Sequence, residues 1–465
     1  MTTKISINNG AKVIILGLVI YLPLEPIFIK IIPLTYRSIA YLAPELILLI
    51  TFLGLVTAGV FKSGHWLKTT LDVPLLFFIV VVFCSIILNN AFSIGSLENV
   101  NSLLKFLPVY FISAVLTRSG TSKFIQRILN IILFLAIIEI GLGFLQKAGA
   151  NWISAFLQPV SIEIGGLEHS SKVLNDAREL GSVYGTLGDT IHYGWFLIIA
   201  LMIILARIDV TKSSKRIFLW LFAFLLMLSI GFSYSRVLII SGFILLLLNL
   251  IFNMKEQKSF RLVVWVSVML IVGIGLIFLY SQGAKFLNSA RNQQNFFQDL
   301  LNIFSEGYRK IAFNYGRLGW AIEAPPTVLI NKPFFGFSPD MYLAYDQLNS
   351  ATHSIISSVR PIKTMEDVYW VAIIIYYGYL GLIAWVWILV KQFHLVIYLR
   401  RLSLPSIQHQ VVKIALLFIP TIAITLFANQ VLEFRIASFY FWLFLGVLQG
   451  IYWKSKRELL VQRTI

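Results

Sequence analysis

Thr190-Ile191-His192-Tyr193-Gly194-Trp195-Phe196-Leu197-Ile198-Ile199-Ala200-Leu201-Met202-Ile203-Ile204-Leu205-Ala206 carries no Asp, Glu, Lys or Arg and is followed at once by Arg207. The run is continuously apolar, without the period-two alternation of a transmembrane strand, so it reads as a helix. Its length suits a hydrocarbon core of roughly 30 Å, which a helix crosses in about 20 residues. Runs of this kind fall near 12–30, 38–60, 71–89, 101–117, 127–147, 190–206, 217–233, 236–253, 262–280, 367–390, 411–430 and 435–452. The whole chain shares the bias: 58% of its 465 residues are hydrophobic and 13% charged, outside the balance of soluble domains. The expected fold class is all-α, a single polytopic integral membrane domain over 1–465 with about 12 transmembrane helices.

Cations concentrate in alternate loops. Lys62 and Lys68; Arg118, Lys123 and Arg127; Arg207, Lys212, Lys215 and Arg216; Lys255, Lys258 and Arg261; and Lys391, Arg400 and Arg401 fall on one side. With Lys4, Lys12, Lys413 and the tail residues Lys454, Lys456, Arg457 and Arg463, that side holds more than half of the 38 Lys and Arg. Its acids are Asp72, Asp209, Glu256 and Glu458. The positive-inside rule then places both termini in the cytoplasm. The net charge of +17 is this topological signal and not a nucleic-acid footprint. Cys84, the sole cysteine, lies in the third run, so one chain has neither a disulfide nor a thiolate metal site.

Two loops on the opposite side are long, 148–189 and 281–366. Inside the larger, Gln293 to Phe304 and Tyr308 to Glu323 read as helices, the second ended by Ala324-Pro325-Pro326. Arg309, Phe313, Arg317 and Trp320 share a face of the second. Two guanidiniums and two rings suit an anionic ligand with a sugar or lipid part, while the alternative is a helix resting on the membrane interface, anchored by Phe313 and Trp320. Loop 148–189 ends in Arg178-Glu179-Leu180-Gly181-Ser182-Val183-Tyr184-Gly185-Thr186-Leu187-Gly188-Asp189. Its glycines suit a backbone cradle for a diphosphate at the start of the sixth span, with Arg178 as counter-charge.

Ionisable residues inside apolar runs are functional candidates by default. Glu25, Glu45, Lys105 and Glu139 all fall in the outer halves of their helices, with Arg236 and Arg435 at outer ends. Together they suggest a polar cavity open to the outside, although Glu25 and Lys105 are also placed to snorkel. Arg236, in the tight step Ser233-Tyr234-Ser235-Arg236, is positioned to hold a lipid-linked phosphate. No GxxxxGK[ST] loop and no Asp-x-Asp pair is present, and the six histidines lack metal-ligand spacing. No cofactor and no metal site is therefore expected.

In its order of marks, the chain resembles the bacterial O-antigen polymerase and ligase family, the Wzy-type polymerases and related glycan ligases. The resemblance rests on the spans, the large late loop, Arg178 with Gly185-Thr186, Ser235-Arg236 and Arg317-Leu318-Gly319-Trp320. It continues through Asn331-Lys332-Pro333-Phe334-Phe335-Gly336-Phe337 and Glu366-Asp367-Val368-Tyr369-Trp370 to Gly378-Tyr379-Leu380-Gly381. It implies a glycosyltransferase at the outer face of the bacterial inner membrane, acting on undecaprenyl-diphosphate-linked oligosaccharide repeats among membrane lipid. A chain-length regulator and a flippase of the same pathway would be its partners. Arg178, Arg236 and Arg317 would then stabilise the departing diphosphate. Asp367 or Glu366, with His353 second, would be the general base.

The chain departs from the family at two places. Ligases present a histidine where the chain returns to the membrane, and here Glu366-Asp367 stands there, which favours polymerase. Ser338 replaces a usual glycine. Three alternatives stand: a ligase acting on a lipid core or protein, a lipid-linked oligosaccharide flippase, and a noncatalytic assembly subunit. A flippase is expected to carry deep polar residues in both leaflets, whereas the deep charges read here lie on one side.

Overall fold

The structure, a computed structural model, describes residues 2–57, 68–119, 122–160, 162–164, 167–169, 182–211, 215–253, 317–352, 365, 367–427 and 429–464. Its helices in chain order are α1 (Thr2–Ile31), α2 (Arg37–Thr57), α3 (Asp72–Leu88), α4 (Ile94–Leu104), α5 (Leu107–Ser119), α6 (Ser122–Lys147) and α7 (Asn151–Leu157). They continue with α8 (Thr190–Val210), α9 (Lys215–Gly231), α10 (Arg236–Asn253), α11 (Arg317–Asn331), α12 (Met341–Thr352), α13 (Tyr369–Arg400), α14 (Ser406–Thr425) and α15 (Arg435–Thr464). Among the described residues, nine helical stretches are long and apolar enough to cross a membrane. The protein is thus a polytopic, membrane-embedded helical bundle. The run at 262–280 and the helix expected over Gln293 to Phe304 lie outside the described residues.

One small departure from an all-helical chain sits in the 148–189 loop. Strands β1 (Ile162–Ile164) and β2 (Leu167–His169) pair antiparallel, with Glu163 opposite Glu168.

The span expected over 101–117 is two helices, α4 and α5, broken at Lys105 and Phe106. Pro108 lacks the amide that would bond the Leu104 carbonyl, which favours a break just before it. The break matters because it is where Lys105 sits. In contrast, Pro325 and Pro326 do not end the loop helix as expected: α11 continues through them to Asn331. There the Thr327 hydroxyl bonds the Glu323 carbonyl at 2.8 Å, and the Tyr379 hydroxyl bonds the Pro325 carbonyl at 2.9 Å. In α1 and α2 the carbonyls that a proline deprives of their helical donor are satisfied by tyrosine hydroxyls. Pro23 frees the Val19 carbonyl, which accepts from the Tyr440 hydroxyl at 3.0 Å, and Pro44 frees that of Ala40, which accepts from Tyr21 at 3.3 Å.

The core centres on α8 and α15, which are buried on nearly every face. α15 runs beside α5 at very short range. A Cβ on Gly446 would meet the Ser113 Oγ and the Tyr110 carbonyl, and one on Gly450 would lie 2.5 Å from the Ala114 carbonyl. Gly446 and Gly450 form a GxxxG pair, the small-residue spacing that lets membrane helices touch backbone to backbone.

Candidate functional site

Charged residues from three helices, and from the break between two more, meet at one end of this bundle. Arg435, the first residue of α15, donates to Glu25 of α1 at 2.9 Å and to Glu45 of α2 at 2.7 Å. Its Nη2 also bonds the Tyr41 carbonyl at 2.7 Å, and its guanidinium lies 4.0 Å from the centre of the Tyr41 ring. All three ion-pair side chains are at most 15% exposed. Lys105, in the break between α4 and α5, donates to the Glu433 carbonyl at 3.0 Å. His192 of α8 packs edge-on against Phe434, within electrostatic reach of Asp189, Lys105 and Arg435.

Glu25, Glu45 and Arg435 neutralise one another inside the protein, and Lys105 is held by a backbone carbonyl. Glu25 and Lys105 do not snorkel: each is held by a partner inside the protein. Glu139 is 1% exposed and accepts from the Thr186 amide at 3.0 Å. The Thr186 hydroxyl bonds both the Glu139 carboxyl and the Pro23 carbonyl, the latter at 2.8 Å. Glu139 is thus the seat of the Gly185–Leu187 turn, not the wall of an open cavity.

That seating also decides what the glycine-rich run can do. The Gly185 and Tyr184 amides donate to Gln146 at 3.0 and 3.3 Å, and the Thr186 amide to Glu139. The Ile191 and His192 amides of the first turn of α8 are capped by Asp189 at 2.6 and 3.0 Å. These five donors serve the protein's own acceptors, so the diphosphate cradle expected here has none of them to offer.

A second constellation joins the large loop to the bundle. Gly378 of α13 has φ 68° and ψ −170°, a conformation open essentially to glycine alone, and it kinks the helix. The kink detaches two amides and two carbonyls from the helical ladder. The Tyr379 amide donates instead to Pro333 at 2.8 Å and the Leu380 amide to Phe334 at 3.3 Å. The Ile375 carbonyl accepts from the Phe337 amide at 2.7 Å, and that of Tyr376 from the Ser85 hydroxyl at 2.7 Å. Residues 332–339 so form a hook in the kink, where a Cβ on Gly336 would lie 2.6 Å from the Gly378 nitrogen.

Lys332 braces the hook. It donates to Asn89 at 2.6 Å and Gln347 at 2.8 Å, while Asn89 donates to the Gly336 carbonyl at 3.2 Å. Desolvation holds the Lys332 ammonium below its ordinary pKa. Ser338 is fully buried and accepts from the Asp340 amide at 2.9 Å. Asp340 in turn caps α12 through the Tyr342 and Leu343 amides. Between the hook and α12 lies a groove of about 480 Å³ lined by Asn331, Lys332, Phe337, Asp346, Gln347 and Ser350.

The remaining expected site residues divide. Trp320 is 1% exposed and packs against Tyr345 at 5.9 Å, so it is a core residue and neither faces a ligand nor anchors α11 in lipid. Its position follows from Ala324 and Val328, buried on the same helical stripe. Arg236 begins α10 and is half-buried, close in sequence to Tyr234, whose hydroxyl accepts from Lys147 at 2.6 Å. Asp367 stands half-buried just before α13. Arg317 opens α11. Arg178, Arg309, His353 and Glu366 lie outside the described residues.

Sequence reading missed His192, set aside among scattered histidines, and the Lys332–Asn89 brace. It also counted Lys413 and Asp209 only among the charges of the cytoplasmic side. They form a buried ion pair at 3.1 Å at the other end of the bundle, joined by Asn253. Buried charge is thus not confined to one side, and the argument drawn from one-sidedness loses that support. No protein-family model matches the chain, and no curated protein sequence matches it.

Proposed function

We propose that this chain is a polysaccharide polymerase-like glycosyltransferase that joins undecaprenyl-diphosphate-linked oligosaccharide repeats at the outer face of a bacterial inner membrane, with both termini cytoplasmic. The observation that carries the reading is the interlock of Lys332–Phe337 with Gly378. Two of the short segments on which the family resemblance rests, far apart in sequence, are in direct backbone contact, and the first of them lines a groove together with α12. Carboxamides, a carboxylate, a hydroxyl and an aromatic ring are the groups that bind saccharide hydroxyls and sugar faces.

In this proposal an acceptor hydroxyl attacks the anomeric carbon of the growing chain. The new glycosidic bond forms as the bond to the lipid diphosphate breaks, and the hydroxyl proton passes to Asp367 or Glu366, with His353 the second candidate. Arg178, Arg236 and Arg317 stabilise charge on the leaving diphosphate. The glycosyl-diphosphate bond supplies the driving force.

The test is incubation of purified protein in lipid vesicles with the cognate lipid-linked repeat, resolving glycans by length. A ladder of multiples with released lipid diphosphate supports the proposal. Unchanged single repeats beside an active control enzyme refute it and favour the ligase or flippase readings. Arg178→Ala, Arg236→Ala and Arg317→Ala are each expected to abolish the ladder while membrane insertion, read by protease protection, stays normal.

A further inference from the structure

α11 has two apolar faces. Trp320, Ala324 and Val328 face the protein. Ile322, Pro326, Leu329 and Ile330, at i, i+4, i+7 and i+8, form a second stripe that is exposed along its whole length, and Phe334 extends it. Ile330 is 81% and Phe334 63% exposed. Glu323, Thr327 and Asn331 make a narrow polar stripe between the two. A helix in a water-filled loop has no reason to present such a stripe.

Two rungs on α13, one to Thr70 just before α3 and one to α3 itself, give the depth of the stripe. Gln392 donates to Thr70 at 3.1 Å, near the exposed Lys68 and Lys391, which mark one membrane surface. Ser85 donates to the Tyr376 carbonyl further along the same helix pair. From Gln392 to Tyr376 the helical rise covers about 24 Å. A hydrocarbon core of about 30 Å starting at the first rung therefore extends several ångströms past the second. The hook is bonded at the level of that second rung, through Ile375, Tyr379 and Leu380.

Irregular backbone survives at such depth only where protein covers it and satisfies it. Both conditions hold here. Gly336, Phe337, Ser338 and Pro339 are buried, and the groups freed by the kink are paired. The neighbouring surface continues the pattern: Ser93 bonds Asp340, and next to it Phe92, Ile94 and Leu97 are exposed.

We propose that α11 and the 332–339 hook are sunk in the membrane leaflet remote from Lys68 and Lys391, with Ile322, Leu329, Ile330 and Phe334 against lipid acyl chains. Part of the 281–366 segment is then membrane-embedded instead of a soluble loop. The inference is independent of the proposed activity.

Full-length protein carrying Cys84→Ser is reconstituted in phosphatidylcholine and phosphatidylglycerol vesicles with a nitroxide on Ile330→Cys or, for comparison, Ser350→Cys of α12. Collision with oxygen, which concentrates in lipid, is compared with collision with a water-soluble nickel chelate. The expected result is oxygen dominating at position 330 and the chelate at 350. Chelate dominating at 330 would place the stripe in water, and low collision with both reagents would place it under protein or a second copy; either overturns the proposal. Phe334→Cys repeats the measurement should Ile330→Cys fail to insert.

Discussion

Gly378→Ala should release the hook. The positive φ with extended ψ costs a residue with a Cβ about 1–3 kcal/mol. The new methyl would also lie 2.4 Å from the Phe334 carbonyl oxygen and 2.6 Å from the Gly336 nitrogen, backbone atoms that no rotamer change can move. Overpacking of that kind costs about 1–3 kcal/mol more, for a total of roughly 2–6 kcal/mol. Even the lower figure corresponds to a roughly 30-fold rise in the open population. Amide hydrogen exchange read by mass spectrometry over 333–337 and 379–380 reports that population directly. Gly336→Ala should act alike, its Cβ lying 2.5 Å from the Ile375 carbonyl oxygen. Because both substitutions break one contact, the double variant should exchange little faster than either single variant. Wild-type protection of both segments in Gly378→Ala would refute the reasoning.

Arg435→Met leaves Glu25 and Glu45 buried without their cation and should destabilise the protein by about 3–5 kcal/mol, visible as a lower melting temperature in detergent. Adding Glu25→Gln and Glu45→Gln should recover much of the loss. Lys413→Met strands Asp209 and should cost a similar amount, about 3–5 kcal/mol, with the pair Lys413→Met and Asp209→Asn costing less in the same melt. Glu139→Gln should stay within about 1 kcal/mol of wild type, since an amide can accept from the Thr186 amide and donate to its hydroxyl. Glu139→Leu leaves the Thr186 amide unsatisfied, while its hydroxyl keeps the Pro23 carbonyl, and should cost about 1–3 kcal/mol; limited proteolysis near Gly185 would follow the difference.

The helices were legible because an apolar run has one stable form in a membrane. The kink in α13 was not. Gly378 and Gly381 stand three residues apart in the same span, and only the arrival of a distant backbone separates the kinking glycine from the packed one. Pro325-Pro326 reads as a stop because propensity counts the missing donors, yet α11 runs through the pair to Asn331. Depth along a helix was readable for Glu25, Glu45 and Arg435, whereas their pairing was not, because it depends on which helices touch. Trp320 misled because the face it shares with Arg317 was assigned to a ligand, and Ala324 and Val328 on the same stripe were not weighed. The glycine-rich run misled in the same way: its amides looked available until Glu139 and Gln146 came within reach.

The kink has a consequence for biogenesis. A newly made α13 leaves the insertion machinery with the Tyr379 and Leu380 amides and the Ile375 and Tyr376 carbonyls outside its own ladder, and each such group left bare in hydrocarbon costs several kcal/mol. Their partners, Pro333, Phe334, Phe337 and Ser85, are all synthesised earlier. These segments of the chain before α13 must therefore already be in place when that helix moves sideways into lipid. Order of synthesis is thus part of how this bundle closes.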